Sequence, residues 1–342
     1  MSITTTPVIS YRHLMRMTNA RGLYEHARDD APRAAHGFCT DDVARALVVV
    51  VREPERSAEL DQLTETYLRF VEAAVAPGGR VRNRMNRIGR WTDAASMGDW
   101  WGRAVGALGF TAIHAPDPGH RERGLRSFLR TAEQRSPDVR ASAFAVLGAA
   151  EVVRARPDLL AARTLLAESV AVIPTAPLAA WTWPEPRLRY ANATLCEALI
   201  AGGDALGSPQ LLERGLELLA FLIATETGAD GRLSVTGTAG RGPRDLGPLW
   251  DQQPIEPAAI AEACARAHAV TGEARWLDGV RLARDWFLGA NDSGIPMVDA
   301  ATGAGYDGLE PSGRNRNRGA ESTLAALSTF QHARALGREV GA

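Results

Sequence analysis

The 342-residue chain contains no lysine; all 39 of its basic residues are arginine. That absence removes every mechanism that needs a primary amine at a fixed place: Schiff-base and pyridoxal chemistry, the Walker-type phosphate loop and the strand lysine of protein kinases. Cysteine is scarce. Cys39, Cys196 and Cys264 stand far apart with no CxxC spacing, so neither a disulfide framework nor a zinc site is suggested, and no metal or other cofactor is expected. A long apolar run is missing, as is a basic segment followed by an apolar one near the N-terminus, so a cytoplasmic protein with no membrane partner is expected. Charge of one sign is not in excess either. Thirty-nine basic against forty acidic residues leave a net charge of −1, which supplies no field for nucleic acid.

What is present is an ordinary globular composition, 45% hydrophobic and 23% charged, carried mostly by helical periodicity. Leu, Val, Ala and Ile recur at three-and-four spacing, while strand alternation is rare. Helices are expected near 11–28, 41–52, 56–76, 99–114, 120–134, 138–153, 157–171, 191–204, 209–226, 255–270, 274–288 and 319–336. Gly and Pro clusters separate them, and Ala-rich stretches such as 141–150 suit close helix packing. Grouped as six hairpins, they fit an all-α (α/α)6 barrel. No linker is long enough to split the chain, so 1–342 reads as one domain. An open solenoid would need a stricter repeat than this sequence has.

In such a barrel the inner helices are apolar, and the informative positions are helix starts and loops where acids, amides, arginine and tryptophan crowd. Five blocks stand out. His36 to Leu47 contains Asp41 and Asp42, of which one acid is explained by helix capping and two less well. The block 82–104 holds Trp91, Asp93, Asp99, Trp100 and Trp101; adjacent helical residues point about 100° apart, so Trp100 and Trp101 face different surroundings. Trp181 to Asn192 includes Trp183, and Leu249 to Glu256 includes Trp250, Asp251, Gln252 and Glu256. The last block, 291–323, is a long irregular segment carrying Asp307, Arg314, Arg316, Asn317, Arg318 and Glu321.

The stretches His36–Asp42, Trp250–Glu256, Tyr306–Leu309 and Asn315–Thr323, in that order, resemble a bacterial family of (α/α)6-barrel proteins commonly labelled glycosyltransferase and related to proteins of glycoside metabolism. The match covers roughly 11–110 and 250–335. Two departures matter: Gly98-Asp99-Trp100-Trp101 stands where relatives show an acidic pair and a serine, and Ala191-Asn192-Ala193 stands where Asp-Asn-Ala is usual. The chain also has no α/β nucleotide-sugar domain.

Tryptophans, carboxylates, amides and arginines together suit a sugar, since aromatic faces stack on pyranose rings and planar polar groups pair with hydroxyls. The expected activity is therefore glycoside hydrolysis of a short oligosaccharide or glycoconjugate by an Asp/Glu acid–base pair. Asp42, Glu256, Glu321 and Asp99 are the candidate acids and bases. Asp41, His36, Trp91, Trp101, Trp183, Trp250, Asp251, Gln252, Asp307, Arg316 and Asn317 are the candidate substrate contacts. Two alternatives stay open. One is sugar epimerisation on the same barrel, with His36 the histidine inside a polar block; the other is a non-catalytic carbohydrate-binding protein associated with a transferase.

Overall fold

The structure, a computed structural model, describes residues 9–178 and 181–339; the N-terminal stretch 1–8 read above lies outside them. Twelve α-helices are present among the described residues: α1 (Arg12–Arg16), α2 (Thr40–Arg52), α3 (Ala58–Ala74), α4 (Asp99–His114), α5 (Pro118–Thr131), α6 (Val139–Ala155), α7 (Leu160–Val170), α8 (Asn192–Leu206), α9 (Pro209–Thr225), α10 (Ile255–Thr271), α11 (Arg275–Phe287) and α12 (Ala320–Glu339). The even-numbered helices form a closed ring, each packing on the next and α12 returning to α2. The odd-numbered helices lie outside, each against its even partner, with the short α1 beside α12 closing the sixth hairpin. This is the (α/α)6 barrel expected from the periodicity.

Two expectations need correction. The helix anticipated over 11–28 stops at Arg16, because Asn19 accepts hydrogen bonds from the backbone N–H groups of Arg21 and Gly22 and turns the chain. Beyond it lies a small hairpin, β1 (Ala27–Arg28) with β2 (Ala31–Pro32). The segment read as irregular after Asn291 contains two more antiparallel hairpins, β5 (Val298–Asp299) with β6 (Ala304–Gly305) and β7 (Gly308–Glu310) with β8 (Gly313–Asn315). A fourth pairing joins β3 (Phe38–Cys39) to β4 (Arg84–Met85) and ties the entry of α2 to the loop before α4.

The ring is tight because its facing residues are small. Between α4 and α6 the backbones touch: a Cβ added at Gly148 would lie 2.5 Å from the carbonyl oxygen of Val105, and one at Gly109 would lie 2.5 Å from that of Gly148. Neither contact is with a flexible side-chain end, so the helices themselves must separate to relieve it. Gly148→Ala is expected to lower unfolding stability by about 1–3 kcal/mol in urea titrations; an unchanged midpoint would show that the crossing has slack.

The bore of the barrel is not wholly apolar. A cavity of about 130 Å³ runs between Ala and Val walls, with Arg45, Arg103 and Glu321 at one end and Arg52, Glu151, Glu197, Glu262 and Arg266 at the other. Arg266 binds Glu151 at 2.5 Å and lies 3.7 Å from Glu197. Glu151, held also by His114 at 2.8 Å, stays ionised with its pKa at about 2: burial opposes the charge, and the hydrogen bond from His114 and the charge of Arg266 overcome it. Glu197 has only the longer contact. Burial pushes it up to about 7 despite Arg266, with the charge of Glu262 adding to the rise. Its raised value fixes the sign of a pH effect. The folded chain holds a proton that the unfolded chain releases, so this stabilisation is complete below the ordinary carboxylate range and disappears as pH climbs through about 7. Calorimetry of wild type and Glu197→Gln should show the variant gaining in relative Tm from about pH 5 to about pH 8. A Tm difference independent of pH would mean that Glu197 titrates alike in both states.

Candidate active site

Each inner helix is followed by an antiparallel outer one, so all six inner helices start at the same end of the barrel, at Thr40, Asp99, Val139, Asn192, Ile255 and Ala320. A cleft of about 710 Å³ opens there. Seven carboxyl groups line it, from Glu25, Asp41, Asp42, Asp99, Asp138, Asp307 and Glu321, together with His26, Arg45, Asn83, Arg84, Trp100, Tyr190 and Gln253. Helix N-termini favour negative charge, which accounts for the density of acids at this end.

The entry of α2 explains why Asp41 and Asp42 are not caps. Asn83, on the loop after α3, accepts from the backbone N–H groups of Thr40 at 3.0 Å and Asp41 at 3.4 Å, so an outside amide caps the helix. Asp41 accepts from the Asn83 Nδ2 at 3.1 Å and lies 3.6 Å from the Arg103 Nε. Asp42 accepts from the Cys39 Sγ at 3.1 Å and from the Arg45 Nη1 at 2.9 Å.

Arg45 then joins two helix starts. The same Nη1 lies 2.6 Å from Glu321 Oε2, while Nη2 donates to the Tyr190 hydroxyl at 2.5 Å. Tyr190 also accepts from Arg103 Nη2 at 2.8 Å and donates to Glu321 at 3.2 Å. The guanidinium of Arg103 lies 3.7 Å over the Phe144 ring.

These surroundings sort the acids. Burial pushes Asp42 up to about 7, with Arg45 opposing the rise and Glu321 adding to it. Glu321 goes the other way: burial disfavours its charge, but Arg45, Arg103 and the bonds from Arg45 and Tyr190 hold it below the usual carboxylate range. Asp99, which makes no hydrogen bond or ion pair with any described residue, is raised by burial and by the charges of Asp41 and Asp138 against the pull of Arg103. Asp307 accepts from the Gly319 N–H at 2.7 Å and the Ser322 hydroxyl at 2.9 Å; burial still raises it.

Glu256 sits slightly apart, in an arm of the cleft. Its carboxyl accepts from the backbone N–H groups of Ala191 at 2.6 Å and Asn192 at 3.3 Å and from Asn192 Nδ2 at 3.1 Å. Both oxygens are therefore committed to the first turn of α8, where Ala191 has a left-handed φ of 48°. Burial pushes Glu256 up to about 8, Glu226 adds to the rise, and these donors only partly resist it.

The remaining expected contacts are dispersed. Trp101 and Trp183 are fully buried in the core, so neither can stack on a sugar; burial of apolar area was the stronger claim on both rings. Trp91 packs edge-on against Phe70 at 5.3 Å, and Trp250 packs against the core. The indole that lines the cleft is Trp100, with Nε1 donating to the Val81 carbonyl at 2.8 Å. His36 is exposed and edge-on to His26 at 5.1 Å; His26 is the residue facing the cleft. Gln252 is fully buried, donating to Asp292 at 2.6 Å and accepting from Trp286 at 3.2 Å. Asp251 is half-buried beside Gly308. Arg316 has 83% of its side chain exposed, 3.4 Å from Asp29, and Asn317 braces the cleft wall by accepting from the Asp29 N–H at 3.0 Å. Arg314 and Arg318 stack on Tyr306 instead of entering the cleft.

Sequence reasoning missed Glu25, His26, Arg45, Asn83, Arg84, Trp100, Asp138, Tyr190 and Gln253 as cleft residues. Arg45 had a signal: it stands three residues after Asp42 on a helix, within reach of its carboxylate. Glu25 and His26 had none, because the segment read as helical. Glu25, Cys39 and Asp42 offer ligand atoms within 4.8 Å of one another, a spacing that admits a metal ion. Yet Arg84 pairs with Glu25, Arg45 pairs with Asp42, and burial pushes the Cys39 thiol well up, so this cluster is built as hydrogen-bonded ion pairs.

No protein-family model matches the chain, and no curated protein matches it in sequence. Solved structures do. A cellobiose 2-epimerase from Spirochaeta thermophila superposes with a TM-score of 0.66 at 13% identity, over 95% of this chain and 93% of the other. A D-mannose isomerase gives 0.68 at 10% identity over 95% and 96%. A GH76 alpha-mannanase from Bacteroides thetaiotaomicron gives 0.64 at 10% identity over 96% and 93%. None of these three carries the glycosyltransferase label of the family that the sequence blocks resemble. At such identities the likeness establishes the fold, and the chain is an (α/α)6 barrel of the kind on which these sugar-epimerising, isomerising and hydrolysing enzymes are built.

Proposed function

We propose that the protein is a carbohydrate-active enzyme that cleaves a glycosidic bond, with Asp99 as proton donor and Glu321 as its ionised partner. The observation that carries this reading is the sorting of carboxyls on the two helix starts that flank α2. Asp99 at the start of α4 is unpartnered and raised, whereas Glu321 in the first turn of α12 is bridged by Arg45 and held low. A leaving oxygen needs a carboxyl that still carries its proton. Water activation or attack at the anomeric carbon needs one that has lost it. Asp42, locked between Cys39 and Arg45, tunes Arg45, and Glu256 positions the start of α8. Trp100 offers an aromatic face, and Asn83 and Gln253 offer amides for hydroxyl groups. The superposed enzymes, whose names tie them to cellobiose, mannose and mannan, support a sugar as substrate.

A second reading, epimerisation of a free sugar, rests on His26, whose imidazole lines the cleft 3.5 Å from Glu25.

The two separate in one experiment. Mannosides, glucosides, galactosides and arabinosides, with and without phosphate, are followed in the anomeric region by proton NMR. Release of a sugar is the expected result, and Asp99→Asn and Glu321→Gln should each lower kcat by at least about 100-fold. Tm should be preserved in Asp99→Asn, which breaks no hydrogen bond or ion pair among the described residues, and lowered in Glu321→Gln, which removes the charge that answers Arg45. Rate should fall on the alkaline side as Asp99 loses its proton and on the acid side as Glu321 gains one. Full turnover in both variants would remove the assignment, and a change of configuration without cleavage would favour His26.

A further inference from the structure

Beside Tyr190 and Gln253 the cleft continues into an arm of about 390 Å³ lined by Arg187, Arg189, the turn 236–240 and Glu256. Its electrostatics are opposite to those of the main cleft. There, the two lining arginines are both spent on carboxylates, Arg45 on Asp42 and Glu321 and Arg84 on Glu25. In the arm the one carboxyl is Glu256, whose oxygens are committed to Ala191 and Asn192 and which burial pushes up to about 8. Arg187 shares its charge with Asp245 at 2.7 Å. Arg189 has no acid: among the described residues it is the one arginine lining cleft or arm whose side chain makes neither a hydrogen bond nor an ion pair.

Its backbone, by contrast, is pinned on every side. Leu188 exchanges hydrogen bonds with Arg241 at 2.7 and 3.0 Å, and the Arg189 N–H donates to Asn192 Oδ1 at 2.8 Å. The Tyr190 carbonyl accepts from Arg140 at 3.0 Å, and Arg140 is itself anchored on Glu185 at 2.5 Å. An exposed, unpaired guanidinium on a fixed backbone at the wall of the arm is open to an incoming anion, and the backbone part of the ordering cost has been met before the ligand arrives.

We propose that this arm, through Arg189, binds an anionic group, a carboxylate or phosphate, so that the preferred ligand spans an uncharged sugar ring in the acid-lined cleft and a negative charge in the arm. The inference deepens the proposed function and rests on reading the cleft as a sugar site. Guanidinium matches both anions bidentately, and a protein of net charge −1 has no general attraction that would mimic the effect.

Isothermal titration of the full chain with matched pairs, mannose 6-phosphate against mannose and glucuronate against glucose, with inorganic phosphate alone as a third arm, tests it. In wild type at least one charged ligand should bind about tenfold tighter than its neutral match, the gain expected of one charge-assisted contact. Arg189→Ala should abolish that preference, and Arg189→Lys should keep part of it. Phosphate binding as tightly as the sugar phosphate, and equally lost in Arg189→Ala, identifies a free anion as the occupant; weaker phosphate binding identifies a charge carried by the sugar. Equal affinity within both pairs, no binding by any ligand, or a preference that survives Arg189→Ala overturns the inference. Turnover assays on the same ligand panel, read beside these titrations, separate the two proposals. Preference retained without any glycoside turnover in wild type sinks the hydrolytic reading alone, and turnover without preference sinks this one alone.

Discussion

The structure depends most on a single guanidinium at the mouth of the bore. Arg45 bonds Asp42 on its own helix, Glu321 on α12 and the Tyr190 hydroxyl ahead of α8, so one side chain ties together three of the six inner-helix entries. A buried arginine is tolerable only when its charge is answered and its donors are occupied. Here the answer comes from two acids of different character, Glu321 fully ionised and Asp42 held near neutrality. Breaking any one link would leave the remaining partners of Arg45 unmatched at the cleft wall, which makes the network a constraint on the backbone as well as on the chemistry.

That constraint acts on a frame built from small residues. Gly148 and Gly109 bring α4 and α6 into backbone contact, and buried alanines line the other inner helices. Close axes narrow the bore to about 130 Å³, so large polar side chains fit only at its two ends. At one end Glu151, Glu197 and Arg266 balance one another; at the other Arg45, Arg103 and Glu321 form the floor of the cleft. The packing of the wall therefore decides where charge can sit.

How much of this is legible in the sequence follows from which forces act locally. Helix periodicity is local, and eleven of the twelve helices lie close to where the pattern puts them; the exception, α1, is cut short by the Asn19 turn. Closure of the ring is readable from the hairpin count. Acids at helix starts are readable too, so Asp42, Asp99, Glu256 and Glu321 all come to the barrel end that the pattern implies. What one acid does there is set by partners far away in the chain. Glu256 is fixed by Ala191 and Asn192, and Glu321 by Arg45, across separations that no local rule describes. Tryptophan is the clearest failure, because a large apolar ring serves a core as readily as a sugar, and Trp101 and Trp183 went to the core.

The distribution of partners among the acids also limits which of them can take part in chemistry. A carboxyl whose oxygens are both bonded to its own protein must break those bonds before it can exchange a proton with a ligand, and this cost falls on Glu256 and on Asp42. Asp99 has no such bonds to break, and Glu321 keeps a third of its side chain exposed while bonded through one oxygen. Asp138, at the entry of α6, stands across the ring from the entry of α12, so a sugar held between them would meet acids on both faces. The positive arm beside Tyr190 breaks that symmetry. A ligand with a negative charge at one end is favoured in the orientation that places that end by Arg189 and away from the acid-lined floor.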